Sequence, residues 1–372
     1  MKHLFLLLLI SAITFISCSS EKEYPVKITE ENGVKTISNP DYPKEGVYDL
    51  VLDELFTLGK DEDNSKYIFA LPIQINLDSK LNLYVLDWDN FKFFVFDKDG
   101  KYLRQFGRRG QGPGDFDTPS DFKMSKDDKI ILNDGRNLRI SILDSTGKYL
   151  SGFPDNRFHT KLEIDSKDNL YTDEIERDMS KLSSVMQQIP LSRIVLNYSK
   201  AEKKWIPIEK FSGEVWPMKR TQDGGITGGD RKNAFFWKIA PGDNLITGFE
   251  DKYEFSTYSL DGKILNKYGR IFSPYRNPDY KEGTMLLPYL PVFTRFSIFD
   301  DNGNFWVNIN NGRKPKVYIY DIYSENGIFQ KQVYSKYRIT LFMGDRIYSV
   351  VRSETDPVYV KAFKYSLKKR EK

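Results

Sequence analysis

Asp78-Ser-Lys-Leu-Asn-Leu-Tyr-Val-Leu-Asp87 reads as a polar turn followed by a short apolar strand that ends on an aspartate. Asp, Ser and Asn favour turns because their side chains bond nearby backbone, while Leu, Tyr and Val suit a buried pleat. The phrase returns as Ser125-Lys-Asp-Asp-Lys-Ile-Ile-Leu-Asn-Asp134, as Asp165-Ser-Lys-Asp-Asn-Leu-Tyr-Thr-Asp173 and as Pro241-Gly-Asp-Asn-Leu-Ile-Thr247. Two more copies are Asp300-Asp-Asn-Gly-Asn-Phe-Trp-Val-Asn308 and Met343-Gly-Asp-Arg-Ile-Tyr-Ser-Val350. Internal repetition must be settled before domain number, since it changes the reading of the whole length.

A second strand and a hairpin turn follow most copies. The clearest is Phe93-Phe-Val-Phe-Asp-Lys-Asp-Gly-Lys-Tyr-Leu-Arg-Gln-Phe106, with partners Ile140–Leu150 and Phe255–Leu265. Asp-Gly or Thr-Gly between alternating apolar residues supplies the positive φ of a tight hairpin. Each unit therefore holds about four short strands and cannot bury both faces alone. Radial stacking buries them and leaves only short edges. The expectation is an all-β, six-bladed β-propeller with four-stranded antiparallel blades.

These phrases together, Asp-x-x-Gly/Asn-x-apolar-aromatic-Val and Asp-Gly-Lys-x-Leu-x-x-Phe-Gly, resemble NHL-type propellers. They are especially similar to the six-bladed propeller lipoproteins of gut Bacteroidota. The resemblance spans about residues 47–365 and implies the fold and an envelope location, with no fixed activity.

The amino terminus points the same way. Met1-Lys2-His3 precedes an apolar run from Leu4 to Ile16, too short for a mature span, which needs roughly 20 residues. Phe15-Ile16-Ser17-Cys18 resembles a bacterial lipobox, with Phe15 where Leu is usual. The expected organisation is a signal peptide at 1–17, a lipidated flexible tether at 18–45, the propeller at 46–367 and a basic tail at 368–372. Cys18, the lipid attachment site, is the single cysteine, so no internal disulfide or thiolate site exists. The expectation is an outer-membrane lipoprotein of the bacterial cell envelope, monomeric, touching the membrane through its lipid anchor only, facing the periplasm or the surface. The net charge of +4 is interspersed with acidic residues, which excludes a nucleic-acid stripe.

Gly107-Arg-Arg-Gly-Gln-Gly-Pro-Gly-Asp-Phe116 invites a phosphate reading. Yet Pro113 and Gly114 stand where a Walker loop needs Lys and Ser/Thr, and no helix follows to supply an anion-binding N-terminus. A corner between blades, where glycines accept unusual angles and Pro113 stiffens the loop, is the better account. In a four-stranded blade such corners share a face with the turns joining second and third strands. Arg108 and Arg109 should thus sit beside Asp87, Trp88 and Asp89, beside Asp134 and Arg136, and beside the insertion 173–190 and the loop 273–291. Met179, Leu182, Val185, Met186 and Ile189 recur at helical spacing, which predicts a short amphipathic helix over the rim.

Two histidines, one of them in the leader, exclude a multi-histidine metal site, and His159 alone makes a poor triad. No catalytic residue is assigned and no cofactor is expected. Asp87, Asp89, Asp134 and Asp173 end equivalent strands; were they to converge, Asp87 and Asp134 could hold calcium, the alternative cofactor, in a hydrolase or lactonase. Trp88, Trp216, Trp237 and Tyr289 could stack on sugars or peptide side chains, with Trp205 and Trp306 filling core. The expected function is non-catalytic binding of a glycan, peptide or envelope protein on the face carrying Asp87, Trp88, Asp89, Arg108, Arg109, Asp134, Arg136, Asp173, Trp237 and Tyr289.

Overall fold

The structure is a computed structural model that describes residues 24–59, 69–155, 161–229, 231–277, 279, 289–310, 317–352 and 357–371. Cys18, the leader and His159 lie outside the described residues.

Five sheets arrange the strands as six four-stranded blades. Blades one to five span residues 72–106, 119–154, 163–220, 235–270 and 298–335. Blade six takes its three inner strands from Leu341–Met343, Arg346–Val351 and Tyr359–Lys369, and its outermost from Gly46–Leu58. Inner strands such as Leu83–Asp87 and Ile130–Asp134 are buried at every position, whereas the outer Tyr102–Phe106 alternates. That difference follows from position: inner strands have a blade on each side, outer ones face water with one.

The repeated phrase has a physical reason. Asp78 accepts the amides of Lys80 and Asn82 at 3.0 and 2.8 Å, the Asn82 side chain at 2.8 Å and the Tyr84 hydroxyl at 3.3 Å. Asp165 does the same for Lys167, Asn169 and Tyr171, and Asp300 for Asn302, Asn304 and the Trp306 indole. Aspartate, asparagine and aromatic thus lock one turn. These turns also join neighbouring blades. Ser79 donates its amide and hydroxyl to Asp128 at 2.7 and 2.6 Å, and Ser166 does so to Asp243 at 2.7 and 2.5 Å. Asp128 and Asp243 hold φ of 61° and 56°, a region that short polar side chains tolerate.

Between blades the core is largely aromatic. Phe93 stacks on Phe106 at 5.0 Å and meets Phe122 edge-on at 4.9 Å across the first interface. Similar apolar clusters occupy all six interfaces, including that between blades six and one, so the ring is closed.

The amino-terminal segment differs from the tether read in the sequence. Lys27–Glu31 and Val34–Asn39 form a hairpin whose second strand runs parallel along the outer edge of blade four. Gly46–Leu58 then pairs parallel with blade five and antiparallel with Tyr359–Lys369 of blade six. One segment therefore clasps three blades, and free sheet edges give it unused hydrogen-bonding groups to satisfy. The basic tail is likewise engaged. Lys368 and Lys369 lie in the last strand, and Arg370 holds Asp49 at 2.9 Å and covers the Tyr334 ring at 3.9 Å.

The insertion is not a helix. Leu170–Arg177, Gln187–Ser199 and Lys204–Arg220 continue blade three beyond the ring as an antiparallel wall, with one 3-10 turn at Met179–Lys181. Met179, Leu182 and Ile189 do pack together, with Met218 and Trp216, but through strand pairing. The period-two run Ile189-Pro-Leu191-Ser-Arg193 found a long partner strand, which outweighed the local helical spacing.

A central cavity lined by charge

Two faces follow from the topology. The turns just described form one; the connections between blades and the turns between second and third strands form the other, called the mouth face. A cavity of about 840 Å³ opens toward the mouth face and runs down the ring axis. The innermost strands of blades two, three and four supply its floor, and the blade-three wall and the connection before blade five supply its sides.

On the floor, Glu163 meets three ammonium groups: Lys161 at 3.1 Å, Lys123 at 3.5 Å and Lys238 at 3.8 Å. Burial opposes charge on Glu163, yet Lys123, Lys238 and Lys161 outweigh it and hold the carboxyl at about 2. One carboxylate cannot satisfy three cations. Lys238 carries the deficit, since burial lowers its pKa to about 8. Asp121 adds a second acid; it accepts the Leu162 amide at 2.6 Å, and burial pushes its pKa up against the pull of Lys123. Lys161 also donates to the Trp237 carbonyl and lies 4.5 Å over the Trp237 ring.

At the side, Arg193 bridges Asp173 at 2.6 Å and Glu214 at 2.9 Å, and Arg231 reaches Glu214 at 3.3 Å while covering Trp216 at 4.6 Å. Glu250, also in the lining, is raised to about 7 because burial outweighs Arg295. The cavity thus combines paired charges, a lysine-rich floor and the aromatic edges of Phe236, Trp237 and Phe296.

Of the residues singled out from sequence, Asp173 and Trp237 line this cavity. Trp237 is buried in the inner strand of blade four and does not stand in a loop. Asp87 and Asp134 do not converge. Asp87 accepts the amides of Ala70 and Leu71 at 2.7 and 3.0 Å and the Asn90 side chain at 2.9 Å. Asp134 accepts the Thr118 amide at 2.8 Å and the Asn137 side chain at 2.6 Å. Each pins the chain entering its own blade, and their oxygens already face backbone and side-chain donors. No cluster of three metal-ligating side chains occurs among the described residues.

Arg108, Arg109 and Arg136 make a separate surface group. Arg108 pairs with Asp115 at 2.6 Å, and Arg109 and Arg136 share Asp117 at 3.3 and 3.8 Å. Their glycine loop is a corner: a side chain at Gly107, φ +96°, would strike the Phe116 ring at 2.4 Å. Its carbonyls at Gln111, Gly112 and Asp115 all receive the Arg139 guanidinium, at 2.9, 2.8 and 2.8 Å. A loop that turns its carbonyls to a cation has the wrong polarity for phosphate. Trp88, Asp89 and Tyr289 are exposed on the mouth face outside the cavity.

The sequence reading missed Lys123, Lys161, Glu163, Lys238, Arg193, Glu214 and Glu250. A signal existed in Asp121-Phe-Lys123 and Lys161-Leu-Glu163, charges at period two on the first strand of a blade, whose inward side lines the axis.

Fold and cavity define a six-bladed β-propeller with a charged axial site. Residues 72–151 match the DUF5128 family model, described as a 6-bladed beta-propeller. A Bacteroides fragilis protein described as exported superposes with a TM-score of 0.54 at 13% identity, over 89% of this chain and 98% of that one. A member of the DUF4221 family from Bacteroides vulgatus does so at 0.55 and 12%, over 87% and 99%.

Proposed function

We propose that this chain is an extracytoplasmic binding protein, anchored through Cys18, whose axial cavity takes a glycan or peptide bearing a carboxylate. The supporting observation is the floor: three lysines share one glutamate, and Trp237 and Phe236 flank them. An incoming carboxylate would supply the missing counter-charge to Lys238, and the aromatic wall would take a sugar ring or side chain. Calorimetric titration of uronic-acid oligosaccharides and acidic peptides tests this. Binding should weaken at least about tenfold, ~1.4 kcal/mol, in Lys161→Ala and in Lys238→Ala. Equal affinity for neutral analogues, or no loss in either variant, overturns it.

One observation favours a catalytic reading as the second choice. Glu250 at about 7 and Lys238 at about 8 both titrate near neutrality inside one cavity, where acid and base groups are useful. Turnover of the bound ligand, abolished by Glu250→Gln with binding retained, would establish it.

A further inference from the structure

The two faces of the ring differ in chemistry. The turn face is built from Asp, Ser, Lys, Asn and Gly, and its described turns expose no large apolar side chain. The mouth face exposes Ile271 at 79%, Val185 at 69%, Tyr289, Ile226, Phe296 and Trp88 at the tips of its connections. Both signs of charge occur on both faces, but the balance differs. Arg276, Arg295 and Arg338 stand on described connections of the mouth face beside acids such as Asp115, Asp117 and Asp251. Asp168, Asp243, Asp300, Asp301, Glu325 and Asp345 stand on the turn face beside lysines such as Lys126, Lys167 and Lys203.

The amino terminus joins the ring on the mouth side. In the hairpin on blade four, Lys27 lies opposite Ser38, which pairs with Gly269, and Pro25 lines a groove with Arg270 and Ile271. Tyr24 is tied to the same corner by its hydroxyl on the Tyr42 carbonyl at 2.8 Å. From Cys18 to Tyr24 the chain can reach about 20 Å at most, at roughly 3.5 Å per residue. A lipid on Cys18 would thus hold the mouth face close to the bilayer and the turn face away from it.

We infer that the mouth face docks on the bilayer surface that holds the lipid anchor, its apolar tips entering the headgroup layer and its arginines meeting anionic lipid. Membrane contact is then made by the protein as well as by its lipid. Apolar and aromatic tips combined with cations are the chemistry of interfacial binding. This inference rests on the Cys18 reading and on surface chemistry. Because the cavity opens on the same face and shares Arg231, Arg295 and Phe296 with it, docking would restrict its ligands to those that reach the mouth along the bilayer surface.

The test uses the full lipidated chain in vesicles of equimolar phosphatidylcholine and phosphatidylglycerol. A fluorophore is placed on a cysteine introduced as Ser184→Cys or Ala201→Cys, exposed positions at opposite ends of blade three. Quenching by lipid-borne nitroxide should be several-fold stronger at the Ser184 position. Val185→Asp with Ile271→Asp should reduce that quenching, and added salt should reduce it further. Equal quenching at both positions, stronger quenching at Ala201, failure of the chain to associate, or indifference to the double substitution would each overturn the inference. Ligand titration in detergent reads the cavity separately, so failure of docking and failure of the binding reading are distinguishable.

Discussion

Asn39 and Phe329 are 290 positions apart in sequence and joined by one hydrogen bond, the Phe329 amide donating to the Asn39 side-chain oxygen at 2.9 Å. The Asn39 amide group donates in turn to the carbonyls of Gly269 and Gly327 at 3.0 and 2.9 Å. One buried side chain thus ties the amino-terminal clasp to blades four and five at once. Asn39→Ala leaves three buried backbone groups without partners, each worth about 1–3 kcal/mol. The expected loss is at least 2 kcal/mol or so, read as a lower urea midpoint with an unchanged slope. A loss below about 0.5 kcal/mol, the range of ordinary surface changes, would show that the clasp does not depend on this residue.

Asp87 separates the structural account from the calcium alternative. Asp87→Ala should destabilise by about 1–3 kcal/mol, because the part-buried amides at Ala70 and Leu71 and the Asn90 side chain lose their acceptor. Millimolar calcium should leave the melting temperature of the parent unchanged. A calcium-dependent rise that Asp87→Ala abolishes would restore the metal reading.

Glu163 is the one carboxylate paired with all three lysines, so Glu163→Gln should cost about 3–5 kcal/mol near neutral pH, as removal of one partner from a buried ion cluster does. The folded pKa lies below the ordinary value of 4.5, at about 2. Its contribution is therefore present above 4.5 and is lost as pH falls toward 2. Acid unfolding of Glu163→Gln should lack that portion of the transition, measured by circular dichroism across the same range.

Glu250 works in the opposite sense. Its folded pKa is raised from 4.5 to about 7, so the folded state retains a proton that the unfolded chain releases. Stability linked to this group is fully present below 4.5 and falls as pH rises through 7. Glu250→Gln should raise the melting temperature at pH 8 and change it little at pH 4. Equal effects at both pH values would show that burial does not govern this carboxyl.

The fold was legible because the turn chemistry repeats. Asp78, Asn82 and Tyr84 form one hydrogen-bonded unit, so the same letters recur wherever that unit is needed, at Asp165-Asn169-Tyr171 and Asp300-Asn304-Trp306. The site was less legible. Asp87 and Asp134 occupy equivalent places in their blades and look like a constellation, but equivalent places around a ring do one structural job several times. The charges on the cavity floor also share one place in their blades, since Lys123, Glu163 and Lys238 pair across to Ile131, Tyr171 and Ile246. The residue type there changes from blade to blade, however, so no repeated letter marks Glu163 as the centre of three lysines. The blade-three wall was hidden for a related reason. Its strands pair residues as distant as Gln187 and Met218, while the spacing of Met179, Leu182 and Met186 suggests a helix when read alone.

The shared last blade sets the order in which the molecule can be made. Gly46–Leu58 leaves the ribosome long before its partner Tyr359–Lys369, with the other five blades made in between. Until both exist the circle stays open, with an unpaired edge at each end and no earlier halfway product that is complete. Premature closure is ruled out by connectivity itself, and the Tyr359–Lys369 strand acts as the key.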